Sequence, residues 1–320
     1  MTETTIDVRA LRKEFTVKRK VGRLRRQSHT VAAVDGVDLT VERGETVGYI
    51  GPNGAGKSTT LKMMTGILTP TSGHLRVCGL EPVPRRRRLA RHIGVVFGQR
   101  SQLWWDLPLC ESFRLLRHVY AVPAGDHAGT LARCRALLEL DEFMDTPVRQ
   151  LSLGQRMRGE ITAALLHGPR VLFLDEPTIG LDVVSKQSLR AFLTEIGEGG
   201  DVTTVLTTHD LADIEHLCRR LVVIDHGHVV HDGTLDALHE RQGSRRRVVV
   251  DLDEPRAWDD LHMPGVVVDD IEADGRRVTF ALDGVPAGEL IARIAHGGGL
   301  RDVSVREPTI EEVVARLYRT

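Results

Sequence analysis

The sequence carries almost no net charge. Its 43 Lys and Arg stand against 44 Asp and Glu, a formal balance of −1 over 320 residues. No whole-chain attraction to nucleic acid or to an acidic membrane follows, so any such partner has to be met by a local patch. Cysteine is sparse as well. Cys78, Cys110, Cys134 and Cys218 are far apart and form no CxxC pair, which excludes a zinc or disulfide framework and points to reduced, structural thiols. No stretch approaches the roughly 18 apolar residues that span a bilayer, so the chain is not itself a channel. The opening MTETTIDVRALRKEF contains acids and no apolar run, and no secretory leader is expected there. Within these limits, 41% hydrophobic residues suffice for a substantial core, and the length suggests about two domains.

VRALRKEF and VDLTVERGETVGYI read as strands, with KRKVGRLRRQSHT between them. That basic stretch has no acid and little apolar periodicity, and is expected to be an exposed loop or short surface helix. It is either a plain solvated insertion or a surface turned toward phospholipid headgroups or a partner. From Thr46 onward, apolar runs (VGYI, IGVVF, VLFLD, TTVLTTH, RLVVID) alternate with helical stretches, the pattern of a mainly parallel sheet covered by helices. Between about Leu103 and Gln150 the apolar residues recur at helical spacing, so a helical subdomain, about 100–165, is inserted in an α/β core. After about Gly243 the composition shifts. RRRVVVDLD, VVVDD and RRVTFAL read as strands, EADGRR as a hairpin turn, GELIARIAH and TIEEVVARLY as helices. The expected domains are therefore an α/β nucleotide-binding domain over 1–242 and a small α+β accessory domain over 243–320.

Directly after VGYI comes GPNGAGKST: Gly51, Pro52, Asn53, Gly54, Ala55, Gly56, Lys57, Ser58 and Thr59. It fits the Gly-x-x-x-x-Gly-Lys-Ser phosphate-binding pattern and precedes an apolar helical run, so backbone amides and a helix N-terminus point together at phosphate. Lys57 is expected on the β and γ phosphates, and the Ser58 hydroxyl on Mg2+. A second element, VLFLDEP, ends an apolar strand in Asp175 and Glu176. Acids at that edge face the ligand crevice of an open α/β sheet. Asp175 suits the metal's hydration shell, and Glu176 suits orienting and deprotonating an attacking water.

Between these elements lies LSLGQRMRGEI, which closely resembles the LSGGQ signature of ABC transporter ATP-binding subunits, with Leu153 at its first glycine. The resemblance runs over about Val8–Leu238 and implies a P-loop NTPase cassette that binds and hydrolyses ATP with Mg2+. It also implies that Ser152, Gly154 and Gln155 reach the γ phosphate held by an opposite subunit. By the same resemblance Gln99 senses metal and attacking water, Asp182 lies in the loop crossing the dimer interface, and His209 is the switch histidine. Phe15 would be the adenine platform, although as a lone aromatic it equally suits a core. VVFGQRSQLWWDLP and EPTIGLDVV are similar to bacterial drug-resistance exporter ATPases, which implies a second cassette and separate membrane permeases as partners, at the cytoplasmic membrane face. The alternatives, a soluble ABC ATPase of ribosomes or DNA and a P-loop kinase or GTPase, lack support, since there is no second cassette, no long coiled coil, and no place for LSLGQ in a kinase. No nucleic-acid partner is expected. Leu103, Trp104, Trp105 and Leu107 are the expected permease contact, because adjacent tryptophans point apart and one core can hardly take both.

Overall fold

The computed structural model describes residues 3–21, 25–98, 100–235, 237–238, 246–255, 258, 263–272, 274–306, 313–314 and 317, with backbone alone over 18–21 and 25–27. They divide into two compact units, Met1–Thr234 and Leu235–Thr320.

The first unit opens with two long strands, β1 (Thr4–Val21) and β2 (Arg25–Glu42), paired antiparallel. The described residues of the basic stretch expected as a loop or helix, 18–21 and 25–30, belong to the two strands of this ribbon, with Lys18 opposite Ser28, Lys20 opposite Arg26 and Val21 opposite Arg25. The ladder decides this, because backbone groups pair across two strands whatever the helical periodicity of either. Next come β3 (Thr46–Ile50), α1 (Lys57–Met64) and β4 (Ser72–Val77). The last of these pairs with β1 and completes a three-stranded sheet in the order β2-β1-β4. A one-turn helix, α2 (Arg86–Leu89), leads to β5 (Ile93–Phe97).

The helical insertion consists of α3 (Leu109–Val119), α4 (Ala124–Leu137) and α5 (Leu153–Leu165). The chain then alternates β6 (Val171–Asp175), α6 (Val183–Glu198), β7 (Thr203–Thr207), α7 (Leu211–Leu217), β8 (Arg220–Asp225) and β9 (His228–Thr234). The six-stranded sheet has the order β5-β6-β7-β3-β8-β9, parallel except for β9. Its central strands are buried because both faces are covered, and β6 reads as a near-continuous apolar run. Leu172, Phe173 and Leu174 are fully buried, each worth about 1.5–3 kcal/mol relative to exposure. Since β6, β7 and β3 are neighbours, the loops leaving their C-terminal ends converge at the crevice where such sheets bind ligands.

In the second unit, β10 (Arg246–Leu252), β11 (Val266–Ile271), β12 (Arg277–Leu282), α8 (Ala287–His296) and β13 (Leu300–Arg306) build an antiparallel sheet in the order β11-β12-β10-β13 around Phe280, Val250, Leu290 and Ile294. The helix expected in TIEEVVARLY lies largely outside the described residues.

Candidate active site

The segment after β3 turns tightly into α1. Gly56 is the residue before the helix, at φ 107°, and a Cβ there would come within 2.4 Å of the Ala33 carbonyl oxygen on β2. Only glycine fits, and strand and loop are thereby packed backbone to backbone. Lys57 is buried; its Nζ donates to the carbonyl oxygens of Gly51 at 2.5 Å and Pro52 at 3.1 Å. Burial lowers its pKa, and the carboxylates of Glu176 and Asp175 work in the opposite direction.

At the end of β6, Asp175 Oδ1 accepts from Ser58 Oγ at 3.2 Å and from Thr207 Oγ1 at 2.7 Å. A hydroxyl and a carboxylate side by side are an oxygen donor set that suits Mg2+, which binds through one or two protein ligands plus phosphate and water. Glu176 donates its backbone N–H to the Thr207 carbonyl at 3.0 Å and holds the left-handed φ of 57°, uncommon for a residue with a side chain. Its Oε2 lies 2.5 Å from His209 Nδ1. A carboxylate so placed, beside an imidazole, can take a proton from water and be oriented while doing so. Lys57, Ser58, Thr59, Glu176 and His209 face one cleft of about 510 Å³, together with Pro52, Asn53, Gly54 and Gly56. Ala33 and Ile179 also line it, and neither carries a local sequence signal of that role.

Gln99 lies outside the described residues; beside it, Gly98 N–H donates to the Asp175 carbonyl at 2.9 Å. Phe15 is exposed, with Val31 opposite and Lys13 Nζ 5.2 Å from its ring centre, so it belongs to no core. Ser152 caps α5 in a reciprocal box: Gln155 N–H donates to Ser152 Oγ at 3.2 Å and Ser152 N–H to Gln155 Oε1 at 2.9 Å. A Cβ at Gly154 would sit 2.5 Å from Ser185 Oγ, so the start of α5 packs against the start of α6. Asp182 caps α6, and hydrogen bonds from Ser185 lower its pKa. None of Ser152, Gly154, Gln155 and Asp182 faces the cleft that holds Lys57.

Leu103 is buried, whereas Trp104 and Trp105 are 39% and 52% exposed, so neither ring is in the core. Arg156 of α5 lies over the Trp105 ring at 5.9 Å. Buried Glu160 on the same helix accepts from Ser101 Oγ and, at 3.1 Å, from Gln102 N–H, tying the start of this loop to α5. The four cysteines are free; burial pushes Cys134 up to about 11 and Cys218 up to about 12, which keeps both as thiols.

A parallel sheet with a glycine-rich loop running into α1 and acids at the neighbouring strand end defines a P-loop nucleotide-binding ATPase. The ABC transporter family model matches residues 34–179. Nod factor export ATP-binding protein I of Cupriavidus metallidurans is 34% identical over 285 residues, covering 89% of this chain and 91% of that one. Daunorubicin resistance ATP-binding protein DrrA3 of Streptomyces coeruleorubidus is 34% identical over 298 residues, covering 89% and 90%. Among solved structures, an ATP-binding subunit of an ABC transporter aligns with TM-score 0.64 and 27% identity, over 75% of this chain and 93% of that one. The dimeric cassette MJ0796, bound to ADP and Pi in a post-hydrolysis state, aligns with TM-score 0.60 and 26% identity, over 72% and 98%. The chain belongs to the ABC transporter ATP-binding proteins, and it binds and hydrolyses ATP. Among the described residues no helix is long and apolar enough to cross a membrane.

Proposed function

We propose that this chain drives export by pairing with a second cassette, a copy of itself, on the cytoplasmic face of separate membrane permeases. The observation that carries the reading is the separation of Ser152 and Gly154 from the Lys57 cleft within one chain. A nucleotide in that cleft has one side free for the signature segment of another subunit, so two ATP molecules would be sandwiched between two cassettes. The name of one relative, a Nod factor export ATP-binding protein, supports the direction of transport, and the daunorubicin resistance name of another agrees with it.

In this reading Lys57 and the loop amides hold the β and γ phosphates, and Phe15 offers its exposed ring to adenine. Ser58 and Asp175, with Gln99, would hold Mg2+, whose charge offsets that of the phosphates. Glu176 takes the proton of the attacking water while His209 holds its carboxylate in place. Loss of the γ phosphate removes charge-assisted contacts between the halves, and the interface reopens. ATP thereby shifts the permeases between states through its differential affinity for the closed pair. The test is co-purification from membranes: the tagged chain is expected to bring down integral membrane proteins, and recovery without them would overturn the transport reading.

The permease contact falls on Trp104 and Trp105, adjacent exposed rings of the type that anchors interfaces. Trp104→Ala and Trp105→Ala are expected to leave the isolated chain folded and ATP-binding, with stability changes within about 0.5 kcal/mol. At least one should weaken assembly about 30-fold. Melting curves and pull-down measure the two effects. A loss of about 3–5 kcal/mol in stability, or normal assembly of both variants, would remove this assignment.

A further inference from the structure

Glu176 and His209 leave neighbouring strands on separate loops, and nothing in their own short contact fixes both backbones. The chain next to each is fixed from beneath. Thr178 Oγ1, two residues after Glu176, donates to Asp213 Oδ2 at 2.6 Å. Thr208 Oγ1, one residue before His209, stands 3.3 Å from the same oxygen. Asp213 belongs to α7 and is fully buried, as are both threonines to within 2%. Its other oxygen, Oδ1, accepts from Arg190 of α6, Nε at 2.6 Å and Nη2 at 2.5 Å. Arg190 Nη2 also lies 3.6 Å from Asp210, which accepts from Lys186 Nζ at 2.6 Å.

We infer that Asp213 is a positioning residue for hydrolysis, clamping the Glu176 loop and the His209 loop to one carboxylate. The inference rests on the roles proposed above for Glu176 and His209. A buried carboxylate is retained only when its lone pairs are filled, and here two oxygens receive four donors from three elements. One oxygen is neutralised by the guanidinium. The other holds the two hydroxyls, so neither loop can shift without leaving a buried acceptor unmet. That is the arrangement expected where a base and its orienting partner have to keep their separation, since a misplacement of about 1 Å costs on the order of 10²-fold in rate.

Removing Asp213 itself strands the Arg190 charge and can unfold the chain, so the hydroxyls are the cleaner probes. In the full chain, Thr178→Val and Thr208→Val are expected to lower kcat for ATP about 10-fold or more, with KM changed less than about twofold. Thr178→Ser and Thr208→Ser, which keep the hydroxyl, should recover most of it. In a His209→Ala background, Thr208→Val should cost nothing further, because it acts through that imidazole. Unchanged kcat in both valine variants, or a full additional loss in the His209→Ala background, would overturn the clamp. Should His209→Ala and Glu176→Gln themselves turn over normally, the underlying assignment fails and the clamp with it. If those two are inactive while the valine variants are normal, the clamp alone fails.

Discussion

Glu176→Gln is expected to lower steady-state ATP turnover by at least about 10²-fold while leaving ATP binding intact. The amide keeps the shape of the side chain, and the backbone N–H bond to Thr207 that holds residue 176 does not involve the carboxylate. What disappears is the capacity to accept a proton beside His209 Nδ1. Binding should survive because the phosphate contacts proposed above come from Lys57 and the loop before α1. An ATP-loaded pair that cannot hydrolyse should accumulate as a closed dimer. Phosphate release and size-exclusion chromatography with ATP measure the two consequences. Turnover near that of the parent chain would remove Glu176 from the role of base.

The second large effect separates the two halves of the proposed shared site. Lys57→Ala is expected to abolish measurable nucleotide binding, since it removes the only ammonium lining the cleft among the described residues. Ser152→Arg destroys the cap of α5, and with it the surface that a partner's phosphate would meet, but leaves the Lys57 cleft untouched. That variant should bind ATP as a monomer and fail to dimerise. Mixed together, the two inactive proteins can form one site with an intact Lys57 loop on one side and an intact Ser152 on the other. Some ATP-dependent dimer should return. If none returns at high protein concentration, the geometry of sites shared across the interface is wrong.

The phosphate loop was legible because its chemistry is local. A tight turn, a lysine and a hydroxyl have to follow one another at fixed spacing between strand and helix, and Gly51–Thr59 does so. Parallel strands such as Val171–Asp175 were legible for a similar reason, as near-continuous apolar runs bounded by polar ends. The outer ribbon was not, because its pairing of Lys20 with Arg26 depends on a ladder that neither strand's periodicity encodes. The adjacency of Trp104 and Trp105 showed that one core could hardly hold both, though not that both would be outside. Least visible was the cluster around Asp213, whose partners stand 35, 23 and 5 residues away in sequence. Strand β13 went unread too, its alternation being too weak after three consecutive glycines.

The left-handed backbone at Glu176 has a consequence for how this protein can change. A side chain held at φ 57° is disfavoured by about 1–3 kcal/mol, and Lys57 keeps an ammonium where burial disfavours its charge. Both residues are tolerated by the fold rather than chosen by it. Glycine at 176 would relax the turn, and an apolar residue of similar length at 57 would relieve the desolvation, each at the expense of the chemistry. Selection for sturdiness alone would thus drift toward a silent cassette, and engineering for heat resistance has to treat positions 57 and 176 as closed.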